Sequence, residues 1–330
     1  MEDFFNSYFL NPFLDKSDLH AFMKHSRRTF LQKTAGVAGL ILLGGRKEAE
    51  ASRLQVNPVQ HGVLVDTTQC VGCRNCEKAC NEINEDLPRR PAEWFKDESV
   101  FQEKRRMDYG TYTVVNRYDS GSSGKPGYAK FQCMHCLYPA CVSACIVGAF
   151  TREPSGAVIY DAWKCIGCRY CMAACPFQVP AYEFSNVLTP QVRKCTFCFQ
   201  QRLSTGKVPA CVESCPMEVM TFGKRTDLIT LGREKIRSYP ERYVPHIYGE
   251  QEVGGTSWLY LSGVPFGKID FPVLGYHPAP GYTEPIQHTI FKWFLPPLGL
   301  YATLGGIMWY LRSRRTKESN PGGDAHQRHD

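Results

Sequence analysis

The 330-residue sequence lacks most of the signatures by which a self-contained enzyme is read. It has no G-x-G-x-x-G fingerprint and no nucleophile elbow, so neither dinucleotide chemistry nor hydrolase chemistry is expected. It has no C-x-x-C-H haem attachment: Cys73 and Cys76 are followed by Glu77, and Cys133 and Cys136 by Leu137. No sign of charge dominates, with 39 Lys and Arg against 32 Asp and Glu, and a formal net charge of +7 is too small to argue for a nucleic-acid partner. Hydrophobic residues make up an ordinary 43%, with long apolar runs only near the two ends, so most of the chain should be soluble. No cysteine is left over either, because all sixteen fall into four groups of four.

Those groups carry the chemistry. The first is Cys70, Cys73, Cys76 and Cys80, spaced C-x2-C-x2-C-x3-C, and the second is Cys133, Cys136, Cys141 and Cys145, with C-x2-C-x4-C-x3-C. The third, Cys165, Cys168, Cys171 and Cys175, repeats the first spacing and precedes Pro176. The fourth, Cys195, Cys198, Cys211 and Cys215, holds a twelve-residue insertion and precedes Pro216. The run C-x2-C-x2-C-x3-C-P is that of bacterial 4Fe–4S sites: three close thiolates take three corners of one cube, and the fourth points to the other cluster of a pair. Gly72 and Gly167 beside the ligands let the loop wrap closely. Zinc ribbons need only two C-x2-C knuckles, and a disulfide framework does not require this spacing, so both are disfavoured. Sixteen thiolates on four oxidised clusters would bring about −2 per site and roughly −8 in all. The basic excess then mostly offsets the clusters.

A repeat surrounds the motifs. Residues 62–66 end four before Cys70, and residues 157–161 end four before Cys165. Residues 147–151 follow Cys145 much as residues 217–221 follow Cys215. These are short β segments, and Pro154-Ser155-Gly156 is a hairpin turn signal. A ferredoxin-type unit needs one strand entering and one leaving each motif. The adjacent second and third motifs form one unit, and by elimination the first and fourth form the other, closed around it in sequence.

The ends add a location. Ser26-Arg27-Arg28-Thr29-Phe30-Leu31 is a twin-arginine pair, and residues 34–45 make an apolar stretch that suits a signal h-region and is too short to span a membrane. Ala49-Glu50-Ala51 offers small residues at cleavage spacing. Export of an already folded protein by this route suits clusters inserted in the cytoplasm. Residues 1–22 are acidic and aromatic, unlike an n-region, whereas Met23-Lys24-His25-Ser26 is an ordinary one, so translation is expected to begin at Met23. Near the other end, residues 293–311 carry no charge, with Trp293 and Trp309-Tyr310 at interfacial positions and Pro296 and Pro297 in the first turn. Arg312, Arg314, Arg315 and Lys317 follow, against only Lys292 before, which puts the C-terminus in the cytoplasm and the body outside.

The four motifs resemble the four-cluster, ferredoxin-like β subunits of respiratory oxidoreductases: formate dehydrogenase, dimethyl sulfoxide reductase, nitrite reductase and hydrogenase. The resemblance covers residues 60–230 and all sixteen ligands. It implies cross-ligation: Cys70, Cys73 and Cys76 share a first cluster with Cys215, and Cys195, Cys198 and Cys211 a second with Cys80. Cys133, Cys136 and Cys141 join Cys175 in a third, and Cys165, Cys168 and Cys171 join Cys145 in a fourth. Pro245-His246-Ile247-Tyr248-Gly249-Glu250, Gly254-Gly255-Thr256, Gly263-Val264-Pro265 and Ile286-Gln287-His288-Thr289 are similar to the electron-transfer subunits of hydrogenase-2 type enzymes. The long lead before Met23 departs from that pattern.

The implied fold class is α+β: two interleaved ferredoxin-like 2×(4Fe–4S) units, a C-terminal extension and a single transmembrane helix. The implied boundaries are 1–51 signal region, 52–132 first half of the outer unit with an insertion, 133–187 inner unit and 188–230 second half of the outer unit. A partner-contacting extension (231–287), an anchor (288–312) and a cytoplasmic tail (313–330) complete the chain. The implied role is electron relay, without a catalytic residue. Its partners are the small and large subunits of a periplasmic nickel–iron hydrogenase and a multi-span, quinone-reactive membrane protein. A molybdenum or tungsten enzyme such as formate dehydrogenase remains the alternative, and residues 231–287 favour hydrogenase.

Four residues near the ligands invite a functional reading. His135 lies inside the second motif, where four cysteines already complete a site, so packing is expected of it. Lys164, Arg169 and Lys194 flank ligands and could either stabilise reduced clusters or simply be solvated. The Gly/Ser-rich loop 120–127 is expected to be mobile, and His326 and His329 in the polar tail carry no assigned role. The start site is checked by intact mass of the unprocessed precursor, which should begin at Met23; a precursor beginning at Met1 would refute it.

Overall fold

Val63, Leu64 and Val65 form a continuous apolar run rather than an alternating one, the pattern of a strand covered on both faces. They lie on β1 (His61–Asp66), the centre of a three-stranded sheet. In the computed structural model, which describes residues 60–119, 126–186, 190–281 and 295–318, β1 pairs antiparallel with β8 (Met220–Lys224) and parallel with β9 (Trp258–Leu261). Every residue of β9 is 0% exposed. The signal region 1–51 lies outside the described residues, as do residues 120–125 of the Gly/Ser-rich loop and 319–330 of the tail.

Each C-x2-C-x2-C motif is entered through the same device. β1 ends at Asp66, whose carboxylate accepts from Thr68 N at 3.2 Å and caps a 3-10 turn running into Cys70. β5 (Val158–Tyr160) is followed by Asp161, whose carboxylate accepts from Trp163 N at 3.0 Å, just before Cys165. Such Asx-type bonds satisfy backbone donors where the strand stops. α1 (Asn75–Ile83) packs on α4 (Ala210–Glu213), which leads into β8. α2 (Ala140–Ser143) packs on α3 (Tyr170–Ala174) and leads into β4 (Phe150–Arg152), which pairs antiparallel with β5. The turn between β4 and β5 closes where Gly156 N donates to Glu153 O at 2.9 Å, with Gly156 at φ +96°. Strands and helices around the first and fourth motifs thus form one ferredoxin-like set, and those around the second and third another.

Two stretches differ from the sequence expectation. The insertion before Cys133 contains an antiparallel hairpin, β2 (Val114–Asp119) and β3 (Pro126–Phe131). Pro126 and Gly127, expected in a mobile loop, sit in β3 opposite Asp119 and Tyr118. The hairpin is held to α1 by a buried charge network. Glu77 accepts from Arg74 Nη2 at 3.0 Å, Arg105 Nη2 at 2.6 Å and Val115 N at 2.7 Å. The second difference concerns the extension 231–287, part of which is interior. α5 (Arg225–Ser238), which runs into the extension, lays Leu228 over the sheet, and β9 within the extension completes it. Ser257 N donates to Met134 O and His135 O at 3.1 Å, tying β9 to the second motif. A short pair, β6 (Ala181–Tyr182) with β7 (Val192–Arg193), joins the third motif to the fourth.

The C-terminal segment forms α6 (Leu295–Glu318), 24 residues long. Its apolar side chains, including Tyr301, Met308 and Trp309, are exposed. Two prolines, three glycines and a charged last turn lower its mean hydropathy, and among the described residues no helix is long and apolar enough to cross a membrane. The expected span 288–312 begins outside the described residues, which resume at Leu295.

Candidate metal centres

The folding of the two units brings cysteines from distant motifs together. Cys70, Cys73, Cys76 and Cys215 line one small cavity, and Cys80, Cys195, Cys198 and Cys211 line a second. Cys133, Cys136, Cys141 and Cys175 line a third. Cys171 has Cys165, Cys145 and Cys168 as its charged neighbours. Each quartet therefore takes three cysteines from one motif and the fourth from its partner motif.

The backbone prepares each site in the same way. The residue before the second cysteine of each motif is left-handed: Gly72 (φ +73°), His135 (+46°), Gly167 (+70°) and Phe197 (+62°). Arg74 and Arg169, immediately after the second cysteine, are left-handed too, at +59° and +60°. Backbone amides at such left-handed turns can form a concave nest that favours anions. Gly167 N donates to Cys165 Sγ at 3.4 Å, Phe197 N to Cys195 Sγ at 3.4 Å and Ala149 N to Cys145 Sγ at 3.2 Å. Gly72 leaves no room for a side chain, since a Cβ there would meet the Tyr128 ring at 2.4 Å. At His135 and Phe197 the surroundings enforce the strained conformation: both side chains are buried, and their rings stack with centroids 4.9 Å apart.

Electrostatics define what the quartets need. Burial pushes the Cys70, Cys171 and Cys198 thiols up to about 11 and Cys141 to about 12. Burial also raises Cys76, Cys80 and Cys136 well above the ordinary thiol value. Neighbouring thiolates add to the rise in each case. These sulfurs become thiolates at neutral pH only against a strong positive charge, which a ferric–ferrous core supplies. Among the described residues no three His, Cys, Asp or Glu side chains converge on a single metal ion. Donors round one zinc would stand about 3.8 Å apart, given Zn–S bonds of about 2.3 Å. Four cysteine donors lining one cavity suit a polynuclear core, so the donor set fits a 4Fe–4S cluster.

The neighbours that raise each thiol also trace a row. Cys211 of the second quartet acts on Cys76 of the first, Cys133 of the third on Cys195 of the second, and Cys171 of the fourth on Cys141 of the third. Cys73 and Cys168, in the first and fourth quartets, are the two exposed cysteines. Apolar side chains stand exposed beside each of these, Val71 and Met217 near the first, Ile166 and Trp163 near the fourth.

The flanking residues separate clearly. His135 accepts from Val158 N at 2.9 Å through Nδ1, and burial, then the charges of Lys194 and Lys130, hold it far below the usual imidazole range. It is a neutral packing group, as its position inside a complete motif suggests. Lys194 is buried and donates to Val158 O and Cys195 O. Lys164 is exposed and pairs with Asp161 at 3.3 Å, and Arg169 is exposed with its guanidinium 5.3 Å from the Tyr182 ring centre. Sequence reasoning missed Lys130, which is 3% exposed and lines both the first and second cavities.

Comparison with known proteins agrees with this chemistry. Residues 126–225 match the 4Fe-4S dicluster domain family. The chain is 34% identical to the hydrogenase-2 operon protein HybA of Escherichia coli O157:H7 over 92% of its length and 99% of that protein. It is 49% identical to a protein of Nitratidesulfovibrio vulgaris over 78% of its length and 70% of that protein. It is 32% identical to the iron–sulfur subunit of the nitrate-inducible formate dehydrogenase of Escherichia coli, over 75% of this chain and 83% of that subunit.

Gly72→Ala and Gly148→Ala separate the two costs of a left-handed position. An L side chain there costs about 1–2 kcal/mol, and Gly148, with nothing within 4 Å, should lose only that. Gly72→Ala must also displace Tyr128 and should melt distinctly lower in an anaerobic thermal scan of the holoprotein. Equal melting of the two variants would refute the close approach.

Proposed function

The chain belongs to the ferredoxin-like 4Fe–4S electron-transfer subunits of oxidoreductase complexes, and on that premise we propose that it relays electrons through four clusters between a hydrogenase and the membrane. The observation that carries this is the row of four cysteine quartets, with an exposed cysteine in each end quartet and none in the two between. Each bound cluster would supply a one-electron carrier. The protein's part is to hold sixteen sulfurs, keep water from the middle sites and leave an apolar collar at either end for a partner to cover. Cys70, Cys73, Cys76 and Cys215 hold the first cluster, and Cys80, Cys195, Cys198 and Cys211 the second. Cys133, Cys136, Cys141 and Cys175 hold the third, and Cys145, Cys165, Cys168 and Cys171 the fourth.

A hydrogenase is the favoured partner because the likeness to the hydrogenase-2 operon protein extends over 92% of the chain, whereas the likeness to the formate dehydrogenase subunit extends over 75%. Export by the twin-arginine route and a periplasmic position rest on Arg27-Arg28 and the apolar stretch after them. Anchoring rests on the exposed apolar face of α6, the uncharged run 293–311 and the arginines that follow it. One anchor helix is too little to form a self-sufficient quinone site, so a multi-span partner is proposed to hold the quinone.

Cross-ligation predicts that Cys175→Ser removes the cluster held mainly by the second motif; loss of the third motif's own cluster would refute the scheme. The function is tested by an elemental inventory of the complex purified anaerobically from membranes through this chain. About sixteen iron per chain together with nickel is expected. Molybdenum or tungsten in place of nickel would transfer the subunit to a formate-dehydrogenase type, zinc with little iron would overturn the relay, and recovery only from the soluble fraction would overturn the anchor.

A further inference from the structure

Lys130 sits where a lysine is costly. It lies on β3, 3% exposed, and among the described residues no Asp or Glu forms an ion pair with it. A buried ammonium without a counter-charge is strongly destabilising. Its position is nevertheless tightly specified. Nζ donates to Gln132 Oε1 at 2.7 Å and stands 4.5 Å from the centre of the Trp258 ring. Gln132 Nε2 is turned away to donate to Tyr260 OH at 2.6 Å, and Tyr260 OH donates back to Lys130 O at 3.1 Å. This closed ring leaves the amide oxygen of Gln132 for the ammonium and fixes the side chain against β9.

The anions available to it are cysteine sulfurs. Lys130 is a wall residue of the cavity lined by Cys70, Cys73, Cys76 and Cys215 and of the cavity lined by Cys80, Cys195, Cys198 and Cys211. Burial opposes its charge, and Cys211 and Cys76, one from each quartet, restore it. An oxidised 4Fe–4S site with four thiolates carries about −2, and one-electron reduction adds a further negative charge. A fixed cation between two such sites stabilises the reduced form of each and screens their mutual repulsion.

We propose that Lys130 is an internal countercation shared by the first and second cluster sites, setting both at higher reduction potential than the same sites would have without it. The role is one of positioning charge: no proton moves, and the electron that reduces either cluster comes from the adjoining cluster or, at the exposed first site, from the redox partner docked there. Lys194, at the wall of the third cavity, provides an internal comparison, because its charge faces Cys141 of the third quartet. The inference rests on the four-cluster reading above.

The test is an EPR-monitored potentiometric titration of the anaerobically purified complex, with the first and second signals assigned by Cys73→Ser and Cys198→Ser. Lys130→Met should shift those two midpoint potentials downward and leave the other two in place; Lys194→Met should instead move the third. Four unchanged midpoints, or four shifted equally, would overturn the role of Lys130. Should Lys130→Met lose iron, Lys130→Arg decides. Arginine keeps the charge and should restore iron content and midpoints, whereas an arginine variant as depleted as the methionine one would show that shape rather than charge is required. Iron content and the number of titrating species in the unaltered complex test the four-cluster reading separately.

Discussion

Negative charge held away from water is the constraint around which this chain is organised. Sixteen cysteines are gathered in a body whose interior raises the thiols of Cys76, Cys80 and Cys136 far above their ordinary range. Such an interior tolerates thiolates only where positive charge or donors face them. The cluster irons supply most of that in the proposed holoprotein. The chain supplies the rest through left-handed residues beside the second cysteines, amides aimed at Cys145, Cys165 and Cys195, and the buried ammoniums of Lys130 and Lys194.

The same constraint explains why the C-terminal extension cannot be a mere appendage. The first and fourth motifs are far apart in sequence, and their shared quartets exist only if β1 and β8 are brought side by side. β9 stiffens that pairing by adding to the other edge of β1, and its neighbour Ser257 bonds to the backbone of Met134 and His135 in the inner unit. Trp258, 0% exposed, fills the space between the Lys130 ammonium and the Phe197 ring. One short strand therefore aligns the outer sheet, the second motif and the cation between the first two sites.

Much of this was legible beforehand because cysteine spacing is a direct record of local geometry. A tight loop can present three sulfurs to one core only at close intervals, so the four groups, their strands and the turn at Gly156 could be read from the order of residues. Asp66 and Asp161 occupy equivalent places for the same reason, each capping the turn into a motif. His135 and Phe197 left a fainter trace, since they align with Gly72 and Gly167 when the motifs are superposed on their cysteines. The hairpin β2–β3 was hidden because its strands flank a Gly/Ser-rich loop and lack clean alternation. Lys130 was hidden because a lysine between an alanine and a phenylalanine ordinarily marks the solvent side of a strand.

The sequence by itself determined the sixteen cysteines, their division into four motifs and the iron–sulfur electron-transfer class, because these depend on residue type and short-range spacing. Only the tertiary structure decided which quartets adjoin, that their row is exposed at Cys73 and Cys168, and that an ammonium stands between the first two sites. These depend on contacts across more than a hundred residues, such as Cys70 with Cys215 and Lys130 with Trp258. Burial turns such contacts into electrostatics, since a charge that water would screen at the surface acts more strongly on its neighbours inside.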